Sequence, residues 1–175
     1  MKKVLKISVL TMVMLFMVNC SKDDSTDNAG GGEIPSSGWR IGTTNYTTVF
    51  TLKNGGQPNS LAFFDALPNG NNLNSCIILF NNTTGIAAGT YKLVLKPEQS
   101  DLLPDEIMIS VNNGYSQTTQ QYTKAYATVT GQTVKATVTI TGGKSKIVIP
   151  EINILTIPIN SSSVTTTFAG TLVEQ

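Results

Sequence analysis

Histidine is absent from this 175-residue chain. That removes the commonest general base, the commonest zinc and copper ligand, and every Ser-His or Cys-His nucleophilic pair. Charge is scarce as well: 13% of residues are Asp, Glu, Lys or Arg, about half the globular average of about 25%. Only 11 residues are acidic, and their spacing picks out no carboxylate pair of the glycosidase kind. The acidic group Glu98, Asp101, Asp105 and Glu106 surrounds Pro97 and Pro104 without the spacing of an EF-hand loop, and reads as a solvated connection. The chain is therefore expected not to be an enzyme and to carry no cofactor and no metal. Cysteine occurs twice, at Cys20 and Cys76. Cys76 opens the apolar run Cys76-Ile77-Ile78-Leu79-Phe80, where a cysteine acts as a small core hydrophobe.

What is abundant is 24 Thr, 14 Ser and 15 Asn, with 15 Gly, a composition that favours strands and turns over surface helices. The length suits one domain rather than two. An all-β protein follows, an antiparallel β-sandwich or, as the alternative, a small antiparallel β-barrel.

The N-terminus has a different character. Lys2, Lys3 and Lys6 precede the apolar run Ile7 to Val18, which ends at Asn19-Cys20, the layout of a secretory signal peptide. Twelve helical residues span about 18 Å, short of the ~30 Å hydrocarbon core of a bilayer. Met17-Val18-Asn19-Cys20 resembles a bacterial lipobox, with Met17 in place of the usual Leu and Asn19 in place of a smaller residue. Looser boxes of this kind are typical of lipoproteins of the Bacteroidota. Ser21-Lys22-Asp23-Asp24 resembles that phylum's surface-export signal, and Asp24-Ser25-Thr26 its O-glycosylation acceptor. The resemblance implies cleavage before Cys20, acylation of its thiol (palmitate or a similar chain), and residence in the outer membrane facing the cell exterior. Two or three long chains on Cys20 would make attachment effectively permanent, where one gives only reversible binding. Loss of Lys2, Lys3 and Lys6 with the signal turns a formal charge of +1 into about −2. No basic stripe remains for nucleic acid or anionic lipid headgroups, so the membrane is expected as a partner through the anchor alone and nucleic acid is not expected.

Organisation is read as a signal peptide over 1–19, a lipidated flexible tether over 20–38 and a single β-domain over 39–175. The tether is rich in Asp, Ser, Asn and Gly, including Gly30-Gly31-Gly32, and lacks the apolar periodicity that repays ordering. A coil of this length has a root-mean-square span of about 20 to 25 Å.

Beyond Trp39 the chain breaks into short Val-, Ile-, Thr- and aromatic-rich segments. Strands are predicted near Tyr46 to Lys53, Ser60 to Ala66, Ser75 to Asn81, Thr90 to Leu95, Glu106 to Asn112, Tyr122 to Thr130, Val134 to Thr141, Lys146 to Ile149, Ile152 to Ile159 and Thr165 to Val173. Asn54-Gly55-Gly56, Pro68-Asn69-Gly70, Asn112-Asn113-Gly114 and Thr141-Gly142-Gly143-Lys144 supply turns, since Gly and Asn accept positive φ. Only Pro97 to Leu103 suits a helical turn. Val134, Ala136, Val138 and Ile140 alternate with Lys135, Thr137, Thr139 and Thr141, one face core and the other wet. Gly89-Thr90-Tyr91, Thr137-Val138-Thr139-Ile140-Thr141 and Phe168-Ala169-Gly170-Thr171-Leu172 look like a β-sandwich domain of unknown function found in Bacteroidota lipoproteins, a resemblance that implies a fold and no activity.

For binding, Tyr122 and Tyr126 alternate with small residues, which predicts two rings on the solvent face about 13 Å apart. Trp39 at the end of the tether, with Tyr115 beside its Asn-Gly pair, extends this to a sugar-stacking surface. The expected partner is a glycan or a protein. An accessory subunit of an envelope assembly and an enclosed ligand cavity are the alternatives.

Overall fold

The computed structural model describes residues 33–55, 57–67, 72–157 and 162–175. The signal peptide, Cys20 and the tether up to Gly32 lie outside the described residues, as do the Pro68-Asn69-Gly70 turn and the end of the strand expected at Ile152 to Ile159. The described chain is all-β, with eleven strands in one sheet and a single 3₁₀ turn, Gln99–Asp101. The strands are β1 (Gly38–Ile41), β2 (Thr44–Thr47), β3 (Phe50–Lys53), β4 (Ser60–Phe64), β5 (Leu73–Phe80), β6 (Gly89–Leu93), β7 (Glu106–Ser116), β8 (Gln121–Thr128), β9 (Lys135–Thr141), β10 (Lys144–Ile157) and β11 (Thr165–Val173).

The sheet runs β2-β1-β11-β10-β9-β6-β7-β5-β4-β3, and β8 pairs with both β7 and β10. Strands β10, β9, β6, β7 and β8 thus form a closed hydrogen-bonded ring, which makes the fold barrel-like, with β11-β1-β2 and β5-β4-β3 as its two arms. The arms meet in sequence at Thr48-Val49. There Thr48 N–H donates to the Ser37 carbonyl and Val49 N–H to the Phe64 carbonyl, so the chain passes from one arm to the other within two residues. One pairing departs from the expected antiparallel rule: β6 lies parallel to β7, Lys92 opposite Glu106 and Leu93 opposite Ile107. A parallel neighbour needs a crossover, and the segment holding the 3₁₀ turn supplies it.

Local sequence explains the long strands. On β9, Ala136 and Val138 are buried while Lys135, Thr137 and Thr139 are exposed. Ile140, assigned to the core by alternation, is 41% exposed, because β9 leaves the core there for the Gly142-Gly143 turn. Both glycines have positive φ, +59° and +80°, as a two-residue hairpin turn with a matching twist requires. The two strands expected on either side of Pro150 are one strand, β10. Its register against β11 shifts between Ile149 and Ile152. On its other side β10 pairs with β9 through Val148 and with β8 from Ile154. Pro150, with no N–H to give, falls in the bulge and in the gap between partners. The Gln132 side chain bridges that gap: Nε2 donates to the Asn153 carbonyl at 2.9 Å and Oε1 accepts from the Asn153 N–H at 2.9 Å.

The core is built from residues of both arms and of the ring. Trp39, Phe63, Phe80, Phe168, Ile78, Ile109, Ile147 and Ile154 are among its fully enclosed members. Cys76 sits there too, opposite Phe63 on one neighbour and Val111 on the other. Burial pushes its thiol far above the ordinary range, which keeps it a thiol and chemically inert. The folded body begins before Trp39: Gly38 belongs to β1, and Ser37 exchanges hydrogen bonds with Val173.

Candidate functional site

Between the β1–β2 arm, β11 and the ring strands β7, β8 and β10 lies a cleft of about 730 Å³, within the ~300–1,000 Å³ typical of small-molecule sites. Its walls come from the β1–β2 turn (Ile41, Gly42, Thr43, Thr44), from Tyr46, from Asn113 and Gly114 of β7, from Thr123, Lys124 and Tyr126 of β8, and from Thr156, Val164 and Thr166. Hydroxyl- and amide-bearing side chains are numerous in this lining although its exposed surface is more apolar than polar, and Lys124 is its sole charged side chain.

Backbone geometry places these groups. Ile41 and Thr44 face each other across a two-residue turn in which Gly42 has φ +57°. The Gly42 N–H donates to the Thr167 carbonyl, tying the turn to β11. Asn113 stands directly opposite Lys124 in the β7–β8 register. Gly114 next to it has φ +66°, and a Cβ there would lie 2.4 Å from Thr123 Oγ1, so only glycine fits. Its N–H donates to Asn74 Oδ1 at 2.9 Å. Asn74 also clamps Asp65, giving its N–H to Oδ1 and its amide Nδ2 to Oδ2.

Two residues of the cleft wall, Tyr46 and Asn113, form a polar pair. Tyr46 stacks on Trp39, rings 5.5 Å apart and 13° from parallel. The Tyr46 hydroxyl accepts from Asn113 Nδ2 at 2.6 Å, which leaves its own proton to donate. Burial, helped by the charge of Asp65, raises the Tyr46 phenol above its usual range against the opposing effect of the Asn113 bond, so it stays neutral. The other end of the Asn113 amide, Oδ1, is buried and unanswered, as is Trp39 Nε1. Each such group costs about 1–3 kcal/mol. Native proteins hold few of them, and each calls for an explanation.

The three aromatic residues expected to form a stacking surface do not form one. Trp39 is 0% exposed and Tyr126 is 8% exposed. Tyr122 is half-buried, 5.1 Å from Tyr115 in a tilted pair, with its hydroxyl accepting from Ser75 Oγ. Trp39 is enclosed because it belongs to a strand, with Tyr46 and Gly170 opposite it on its two neighbours. Tyr126 is enclosed because β8 is an interior strand: Val111 opposes it on β7 and Thr156 on β10. The assumption that the small residues of β8 alone face inward fails, since Tyr126, Ala127 and Thr128 are all buried. Tyr126 still floors the cleft from inside, and Trp39 backs it through Tyr46.

Tyr46 and Asn113 were not legible as site residues. Asn112-Asn113-Gly114 has turn chemistry, yet β7 runs through it as a bulge against β5, between Leu73 and Ser75. The acidic loop is divided into separate pairs, Lys92 with Asp105 at 2.9 Å and Lys96 with Glu106 at 3.4 Å. Among the described residues no group of three or more candidate ligands gathers for a metal, and no helix is long and apolar enough to cross a membrane. A comparison with protein-family models, with curated proteins and with solved structures found no match to this chain.

Proposed function

We propose that this protein is a lipid-anchored, non-enzymatic binding protein of the outer membrane. Cleavage before Cys20 and acylation of its thiol fasten it to the bilayer, the tether carries the β-rich head on the exterior side, and the cleft between the β1–β2 arm and strands β7 and β8 holds a small hydroxyl-rich ligand, a saccharide. The observation that carries the binding reading is the cleft itself: a concavity of mixed polar and apolar surface with several hydroxyls and amides on its wall and a neutral tyrosine that has a proton left to donate. The sequence features around Cys20 support the anchor. Stacking on exposed rings is not part of this reading; hydrogen bonds to sugar hydroxyls replace it.

The test is an oligosaccharide array probed with the whole chain in detergent, alongside the variant Tyr46→Phe/Asn113→Leu. Binding that the variant loses while its circular dichroism is unchanged is the expected result. A chain that binds no saccharide, or a variant that binds as well as the parent, overturns the reading.

An accessory role in an envelope assembly is the second reading. It draws on β2 and β3, the ends of the sheet, each of four residues and each paired on one side among the described residues. Free edges of this kind accept a partner's strand. Cross-linked partners mapping to Thr44–Thr47 or Phe50–Lys53 would favour it over the cleft.

A further inference from the structure

Among the described residues the cleft lining holds one cation and no carboxylate: Lys124 is exposed, belongs to none of the ion pairs, and stands in a wall otherwise made of neutral groups. The carboxylate whose charge bears on this region, Asp65, is already occupied by two hydrogen bonds from Asn74. Lys124 therefore has no direct ion-pair partner among the described residues, while the remainder of the predicted mature chain carries net negative charge. A single unpaired ammonium in a concave site concentrates field on the position it faces.

We infer that the cleft selects a saccharide bearing one negative charge, with Lys124 holding the anionic group and the hydroxyls of Tyr46, Thr44 and Thr166 serving the neutral ring. One point charge fits a monoanion such as a uronate carboxylate. A phosphate-type dianion is matched best by the bidentate fork of an arginine, and no arginine is among the described residues of this lining. This inference rests on the reading of the cleft as a saccharide site.

The test keeps the two apart. The whole chain in detergent is titrated with oligogalacturonate and hyaluronate oligosaccharides, with the same oligosaccharides after reduction of their carboxyls to alcohols, and with sulfated neutral-backbone oligosaccharides. The expected result is binding of a carboxylated probe that falls about 10- to 100-fold on carboxyl reduction and by a similar factor in Lys124→Gln, the size of one charge-assisted hydrogen bond. It should also weaken with added salt. Lys124 is exposed and makes no structural bond among the described residues, so Lys124→Gln is expected to fold, and unchanged circular dichroism checks this. Preference for the sulfated probes, still dependent on Lys124, would keep the monoanion and replace the carboxylate. Neutral probes bound as tightly as charged ones, or Lys124→Gln binding within twofold of the parent, would overturn the charge inference and leave the saccharide cleft standing. If no probe of any kind binds, both fall.

Discussion

The pair Tyr46 and Asn113 allows the cost of the site to be measured apart from its ligand. Replacing Tyr46 by Phe keeps the ring that stacks on Trp39 but deletes the acceptor for Asn113 Nδ2. Both ends of that amide are then unanswered, which costs about 1–3 kcal/mol. Asn113→Leu removes the amide together with its orphaned Oδ1. It strips Tyr46 of a donor, but the Tyr46 hydroxyl lines the cleft, where water replaces that donor, so the net change should stay within about 1 kcal/mol. The double variant replaces both members by apolar groups and should be nearly as stable as the parent, since a lost pair is cheaper than a broken one. The double-mutant cycle should therefore give a coupling of about 1–2 kcal/mol. Urea unfolding followed by fluorescence reads it directly, because Trp39 is the chain's one tryptophan and sits against the mutated ring. If the two single effects simply add, within about 0.3–0.5 kcal/mol, Tyr46 and Asn113 do not act as the coupled pair described above.

Two further predictions concern the frame. In Gln132→Glu the carboxylate keeps the bond from the Asn153 N–H but faces the Asn153 and Val129 carbonyls with negative charge. This costs about 1–3 kcal/mol at neutral pH. Protonation restores a donor, so the folded-state pKa of the new Glu lies above the unfolded value of about 4.3; the deficit is smallest below that value and grows to its full size as pH rises through the folded-state pKa. A parent-minus-variant stability difference that is flat between pH 4 and 7 would contradict the bridge. Cys76, enclosed and with its thiol raised by burial, should stay silent toward a thiol reagent in the folded Cys20→Ser chain and react once after denaturation. Rapid labelling of the folded chain would show that the core opens there.

Much of the frame was legible because its signals are local. Alternation marks β9, the glycine pair marks its hairpin, and the apolar run around Cys76 marks β5. The single strand β10 was read as two because Pro150 is a strand breaker by itself. The gap between β9 and β8 that accommodates it is a property of the assembled ring. The parallel β6–β7 contact and the Asn113–Gly114 bulge are likewise settled by non-neighbouring strands, and no local pattern encodes them. The site shows the same limit. Tyr126 and Trp39 look like surface rings when each strand is considered alone, and become interior once neighbours lie on both sides. Tyr46 and Asn113 gained their roles only from meeting across 67 residues of chain.

The proposed address of the protein depends on Cys20, and intact-mass spectrometry of material extracted from the producing cell's membranes tests it most directly. A mature chain that starts at Cys20 and carries the added mass of two or three fatty acyl chains is the expected result. A chain starting at any other residue, or a Cys20 without acyl mass, would contradict the anchor and leave the β-rich head without its place on the membrane.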